Sequence, residues 1–181
     1  MKNKNQRLIL ARVLAILFVI AISAAIYSVR DRSDELAAYG YPGIFLIAFL
    51  SNATVLMPAP GIAVVFTMGA VFNPLGVALA AGSGGALGEL SGYLAGFGGQ
   101  VLIERSPVYE RTIRWMRKYG SPTILILAAL PNPFFDIAGL AAGALKMPWH
   151  KFLFWCWIGV TIKMLAFAWA GAYSLTWIFG S

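Results

Sequence analysis

The chain has 181 residues, 60% of them hydrophobic and only 12% charged, with a formal net charge of +7 and a mean hydropathy of +0.76. That balance excludes an ordinary soluble domain and fits a polytopic membrane protein, whose basic residues flank membrane segments rather than bind nucleic acid. One cysteine (Cys156) and one histidine (His150) exclude a disulfide framework or zinc cluster and leave Ser/His chemistry unsupported, so no catalytic set, metal site or cofactor is expected.

Residues 8–27 follow the basic start MKNKNQR and read as an uncleaved first transmembrane helix, longer than the apolar core of a signal peptide. With the polar stretch Arg30–Glu35 they form an N-terminal unit, 1–35, and the rest of the chain, 36–181, is a second unit. Two apolar blocks follow, separated by ERSPVYERTIRWMRKYGS, and they repeat one another. YGYP at 39–42 answers YGSP at 119–122, Pro58-Ala59-Pro60 answers Pro131-Asn132-Pro133, and Gly69-Ala70 answers Gly143-Ala144. Pro74 and Pro148 come next, and fifteen residues beyond each lie Glu89 and Lys163. Repeat one therefore spans 39–103 and repeat two 119–179, with seven extra residues in repeat one between its first two motifs.

Each repeat reads as a half-helix, a Pro-x-Pro break, a second half-helix, a proline turn and a long helix. Legs of roughly ten residues, rising about 1.5 Å per residue, reach about halfway through a hydrocarbon core of roughly 30 Å. Charge placement favours re-entrant hairpins over broken spans. With crossings at 8–27, about 76–103 and about 152–179, one side collects Lys2, Lys4, Arg7, Arg12, Arg105, Arg111, Arg114, Arg117, Lys118, Lys146 and Lys151. The opposite side holds Arg30 and Arg32 among Asp31, Asp34 and Glu35. The expected protein lies in the plasma (inner) membrane, with its N-terminus cytoplasmic and its C-terminus outside. The expected fold is all-α and integral to the membrane. It is an inverted repeat with two re-entrant helical hairpins facing each other, three full transmembrane helices and one interfacial amphipathic helix over 104–121. Prolines and freed carbonyls are tolerated at depth where protein or a water-filled cavity satisfies them, so the tips at Pro58, Pro60, Pro131 and Pro133 should face a cavity.

Asp136 falls in the first turn of the half-helix after Asn132-Pro133, where Asn132 can cap exposed donors and the helix dipole favours a carboxylate. It serves either to terminate a buried helix end or to contact protons or substrate. Glu89 lies within the arc of Gly84, Gly88, Gly92 and Gly96, a small-residue ladder that admits a close helix, and should face protein as an ion-pair partner or a titratable carboxylate. Lys163 shares a face with Gly159, Ala166 and Ala170, and either Glu89 or Asp136 can pair with it. Arg111, Arg114, Arg117 and Lys118, set among Val108, Ile113, Trp115, Met116 and Tyr119, suit a cationic helix that anchors topology or attracts anionic headgroups.

Through Pro58–Pro60, the Gly88–Tyr93 stretch with Gly96 and Gly99, and the tip at 131–133 running into Ala138-Gly139 and Ala142-Gly143, residues 36–175 resemble the DedA family, also called the SNARE-associated or VTT-domain family. The resemblance implies two facing re-entrant hairpins and a lipid translocator, a flippase or scramblase of phospholipid or polyprenyl-phosphate lipid, with membrane lipids and protons as partners. Many bacterial relatives carry a glutamate before the first tip, where this chain has Ser51-Asn52-Ala53-Thr54, and arginines at the second tip, where it has Ala128 and Phe134. The second tip thus lacks the guanidinium groups suited to phosphate. Glu89 stands where the family more often has aspartate. Glu89, Asp136, Lys163, Asn132 and Asn52 are the candidate residues of a proton-coupling or substrate cavity. A proton- or cation-coupled small-solute transporter and a non-transporting structural or assembly membrane protein are the alternatives; an enzyme is not expected, and a homo-oligomer is allowed.

Overall fold

The computed structural model describes residues 33–53, 61–98, 107–131 and 135–179. The first crossing at 8–27, the first tip with Pro58 and Pro60, and Asn132-Pro133 lie outside the described residues. Every regular element among the described residues is an α-helix: α1 (Ser33–Ala53), α2 (Gly61–Gly69), α3 (Pro74–Gly88), α4 (Leu90–Phe97), α5 (Pro107–Tyr119), α6 (Pro122–Ala129), α7 (Phe135–Ala144) and α8 (Trp149–Phe179).

Proline, asparagine and glycine set the boundaries. Pro74 occupies the first position of α3, behind Asn73, whose Oδ1 accepts from the Leu75 and Gly76 amides at 2.9 and 3.3 Å. Gly120 ends α5 at φ +68°, a conformation glycine adopts without steric cost, and Pro122 starts α6. Leu130 turns extended (φ −83°, ψ 137°) because Pro131 follows it. At 1.5 Å per residue α6 and α7 are about 12 and 15 Å long, close to half a hydrocarbon core.

Three expected boundaries move. The first leg is not a short half-helix from 41 but α1, which begins at Ser33 and continues through Gly40 and Pro42. The helix expected over 76–103 runs from Pro74 to Phe97, interrupted at Glu89 and ended at Gly98. Bonds from Glu89 N to Gly85 O (3.0 Å) and from Tyr93 N to Glu89 O (3.1 Å) carry the backbone through the interruption. The amphipathic helix, expected over 104–121, is described over Pro107–Tyr119 and ends at Gly120. Among the described residues one helical stretch, Trp149–Ser174, is long and apolar enough to cross a bilayer.

The helices pack in a reciprocal pattern. α1 lies on α3 and α6 on α8, so each first leg grips the long helix that follows it. The second legs do the reverse: α2 packs on α8 and α7 on α4, while α3 and α8 pack on each other. Glycines set the approach. A Cβ at Gly84 would overlap the Phe45 carbonyl on α1, and one at Gly159 the Leu125 carbonyl and Ala128 Cβ on α6. Gly69 meets the backbone of Ala168 and Gly171 that of Phe66, both across α2 and α8; Gly143 meets Tyr93 and Phe97, and Gly96 meets Leu140, across α7 and α4.

On α8 the buried stripe is Phe152, Cys156, Val160, Met164 and Ala168. The expected small-residue face beside Lys163 is only partly a packing face: Gly159 is buried, whereas Ala166 and Ala170 are exposed. Large apolar side chains such as Leu46, Leu50, Leu94, Phe154, Ile162 and Trp169 point outward, an outer surface suited to lipid rather than water. Thr161 Oγ1, against Gly82, is buried without a hydrogen-bond partner. Thr161→Val is therefore expected to leave thermal unfolding in detergent unchanged or to stabilise by up to about 1 kcal/mol, because no protein hydrogen bond is lost.

Candidate functional site

The interruption between α3 and α4 is where the sequence-predicted residues come together. Glu89 is 2% exposed, one of three buried polar or charged side chains among the described residues. The end of α1 abuts it. A Cβ at Gly88 would overlap the Phe49 carbonyl and crowd Ala53 N and Asn52 Cβ at 2.9 Å, and Ser91 Oγ donates to Ala53 O at 3.1 Å. Asn52 faces the same step: its Nδ2 lies 3.3 Å from where a Gly85 Cβ would be, and donates to Ala48 O at 2.8 Å.

The other wall is built by repeat two. Gly139 of α7 packs 3.6 Å from the Glu89 carbonyl, measured from its would-be Cβ. One turn earlier, Phe135 opens α7 immediately after the Pro131-Asn132-Pro133 tip, and the Lys163 Nζ sits 5.5 Å from its ring centroid. A cation over an aromatic face is held by the ring quadrupole, more strongly where water is excluded. Cys156, fully buried on α8, lies within electrostatic reach of both Glu89 and Lys163. Asp136 is in the first turn of α7, as its sequence position requires, but its side chain lies outside the described residues. Asn52, Glu89, Lys163, Cys156 and the start of α7 are thus linked through neighbouring contacts, with Glu89 and Cys156 buried and Asn52 and Lys163 half-buried.

Two grooves open elsewhere on the molecule. One of about 400 Å³ lies between α3 and α8, lined by Ser83, Leu87, Trp149, His150, Phe154 and Trp157. Another of about 330 Å³ lies between α5 and α6. Neither is lined by Glu89, Asn52 or Lys163. No group of three His, Cys, Asp or Glu placed to hold a metal occurs among the described residues.

Sequence reading missed three members of this region. Phe135 gives no charge signal, and only packing places its ring under Lys163. Cys156 reads as one more apolar residue of α8. Tyr93, four residues beyond Glu89, is a latch: its hydroxyl donates to Met147 O at 2.6 Å and its ring stacks on Phe152 at 5.1 Å. A phenol in an otherwise apolar helix face was the available signal, since a buried hydroxyl needs a partner. Tyr93→Phe leaves the Met147 carbonyl without its donor. It is expected to cost about 1–3 kcal/mol, lowering the thermal midpoint in detergent by several degrees.

The basic residues of α5 stay away from this site. Arg111, Arg114, Arg117 and Lys118 are exposed, while Thr112 and Met116 are buried, so part of the face expected to meet lipid is spent on protein contacts with α7.

Comparison with curated proteins and with solved structures yields no match. A family profile described as the VTT domain matches residues 57–173, which include α2 to α7, the Glu89 interruption, the second tip and most of α8. The chain belongs to the VTT-domain family, the DedA or SNARE-associated family of membrane proteins linked to membrane transport and lipid handling.

Proposed function

We propose that this protein translocates membrane lipid as a flippase or scramblase, without enzymatic chemistry, through a path that passes Glu89 between the two repeats. The observation that carries this reading is the exchange of second legs, α2 onto α8 and α7 onto α4. The repeats in sequence set Gly69 against Gly143 and Glu89 against Lys163. In three dimensions Gly69 and Gly143 each cross the long helix of the other repeat, and Gly84 and Gly159 each receive their own first leg. Gly85 and Val160 touch on α3 and α8, as residues near a pseudo-twofold axis would. This reciprocity supports an inverted repeat of re-entrant hairpins, the plan in which broken helices surround a substrate site at the bilayer midplane.

In this reading α6 and α7 enter from the cytoplasmic face, since Lys146, Lys151 and the α5 cations lie at their base, and the N-terminus is cytoplasmic with the C-terminus outside. Asn52, Glu89 and Lys163 line the polar step over which a headgroup passes while its acyl chains stay in the bilayer, and Asn132 and Asp136 remain candidates by their sequence positions. Glu89 is the residue able to couple passage to a proton. The absence of arginine at Ala128 and Phe134 favours a headgroup carrying a cation or hydroxyls over a bare phosphate monoester.

The test is reconstitution of the full chain into liposomes carrying headgroup-labelled phospholipid, with the outer leaflet bleached by an impermeant reductant. Bleaching beyond the protein-free fraction is expected. Bleaching that stops at the outer leaflet, for both phospholipid and polyprenyl-phosphate probes, would exclude lipid translocation. A closed path that conducts a small solute or protons in the same vesicles would favour the coupled-transporter reading, to which the burial of Glu89 also lends support.

A further inference from the structure

The groove between α5 and α6 has a composition that the hairpin site does not use. Its lining is Trp115, Tyr119, Thr123, Ile126 and Leu127, with a volume of about 330 Å³. The floor is apolar, contributed by Ile126 and Leu127 of α6. Thr123 closes the corner by donating from Oγ1 to Trp115 O at 3.3 Å.

Two exposed cations flank the aromatic side of the groove. Positions 111, 115, 118 and 119 fall at i, i+4, i+7 and i+8, one stripe of the α5 surface. Along it the Arg111 guanidinium lies 4.9 Å from the Trp115 ring centroid and the Lys118 ammonium 5.0 Å from that of Tyr119. Each groove-lining aromatic therefore carries its own cation. Arg114 and Arg117 are also exposed but point further from the groove: on a helix of 3.6 residues per turn they lie about 100° and 160° from Trp115, against about 40° for Arg111 and 60° for Lys118. The four cations that look equivalent in sequence separate into two pairs.

We infer that this groove seats one anionic glycerophospholipid, its acyl chain along Ile126 and Leu127 and its phosphate between Arg111 and Lys118. Charge complementarity selects the occupant. Two cations fixed over aromatic rings at the rim of an apolar trough match an anionic headgroup joined to a chain, whereas a zwitterionic lipid brings its own cation to the same place. Trp115 and Tyr119, with apolar rings and polar edges, suit the headgroup level. The inference does not depend on translocation, because the groove lies apart from Glu89 and the hairpin tips.

The test uses the full chain in phosphatidylcholine nanodiscs doped with phosphatidylglycerol brominated on its acyl chain. Trp115 emission is taken as the difference between the parent protein and Trp115→Phe. Brominated phosphatidylglycerol should quench Trp115 at low fraction, and brominated phosphatidylcholine should not do so at the same fraction. Arg111→Ala/Lys118→Ala is expected to raise the fraction needed for half-quenching by about fivefold for each cation removed. Arg114→Ala/Arg117→Ala, with the same change in net charge, should leave it near the parent value. Ile126→Phe, which fills the trough and keeps every cation, should also weaken quenching. All four substituted positions of the double variants are exposed, so monodisperse elution is expected for both. Equal loss in the two double variants would show a diffuse charge effect, and equal quenching by the neutral lipid would show a groove without headgroup selection. Either result, or quenching unaffected by Ile126→Phe, overturns the inference.

Discussion

Gly143→Val should abolish the folded state, or lower stability by at least about 3 kcal/mol, the upper part of the range for overpacking a core. The reason is geometric. A Cβ at Gly143 would overlap the Tyr93 carbonyl and lie 2.6 Å from the Phe97 amide nitrogen, so it meets backbone, not a side chain that can rotate away. Relief requires α7 to separate from α4, and that interface also carries Gly96 against Leu140. Gly69→Val should behave alike, since its Cβ would strike the Ala168 backbone across α2 and α8. Gly43→Ala is the control: a Cβ there meets nothing within 4 Å. Thermal unfolding in detergent and elution profile decide the matter. A Gly143→Val protein as stable as Gly43→Ala would mean that α7 does not lie on α4, and the exchange of second legs would fall with it.

Glu89→Gln should reduce lipid translocation by about tenfold or more, equivalent to about 1.4 kcal/mol in the barrier. The substitution keeps the size and planar shape of the side chain while removing its charge and its capacity to exchange a proton. A carboxylate inside an apolar bundle is costly unless it is partnered, and Glu89, 2% exposed, is kept inside. Two outcomes separate its roles. If Glu89→Gln folds as well as the parent but bleaching falls to the protein-free level, the carboxylate serves transport. If stability drops by about 3–5 kcal/mol while transport per folded molecule is unchanged, Glu89 is one half of a structural charge pair broken by the substitution. Lys163→Gln and the double variant complete the cycle; independent effects of the two would argue that Glu89 and Lys163 do not act together.

The resemblance in sequence and the arrangement in space agree where local chemistry decides. Pro74 behind Asn73, Gly120 before Pro122, and Leu130 before Pro131 each mark an element boundary in the structure. In each case the physical cause is confined to two or three consecutive residues: a missing donor, a fixed φ or a side-chain cap. The same is true of the break after α6 and of the second leg beginning before Asp136. Boundaries slipped where no such signal acts. Pro42, the last residue of the first repeat's YGYP motif, lies inside α1, and the glycine-rich helix is interrupted at Glu89.

The candidate site was half legible. Glu89, Asn52, Lys163 and Asp136 announced themselves because charged and amide groups are costly in so apolar a chain. Phe135 and Cys156 did not, being apolar residues among many. Nor could helix periodicity mark the packing face of α8. In a soluble protein the polar face of a helix points to water and the apolar face identifies the core, but here both faces are apolar because both meet hydrocarbon or protein. Ala166 and Ala170 therefore looked like packing residues and are exposed.

What the sequence by itself determined is an all-helical chain, the element boundaries set by proline and glycine, and a polar residue, Glu89, kept inside, since these follow from local backbone chemistry and composition. The tertiary structure decided which long helix each leg grips, which two of the four α5 cations stand beside the groove's aromatic rings, and that Glu89 lies between the end of α1 and the start of α7. Those outcomes depend on glycine-permitted backbone approaches between residues far apart in the chain, an energy that no single segment carries.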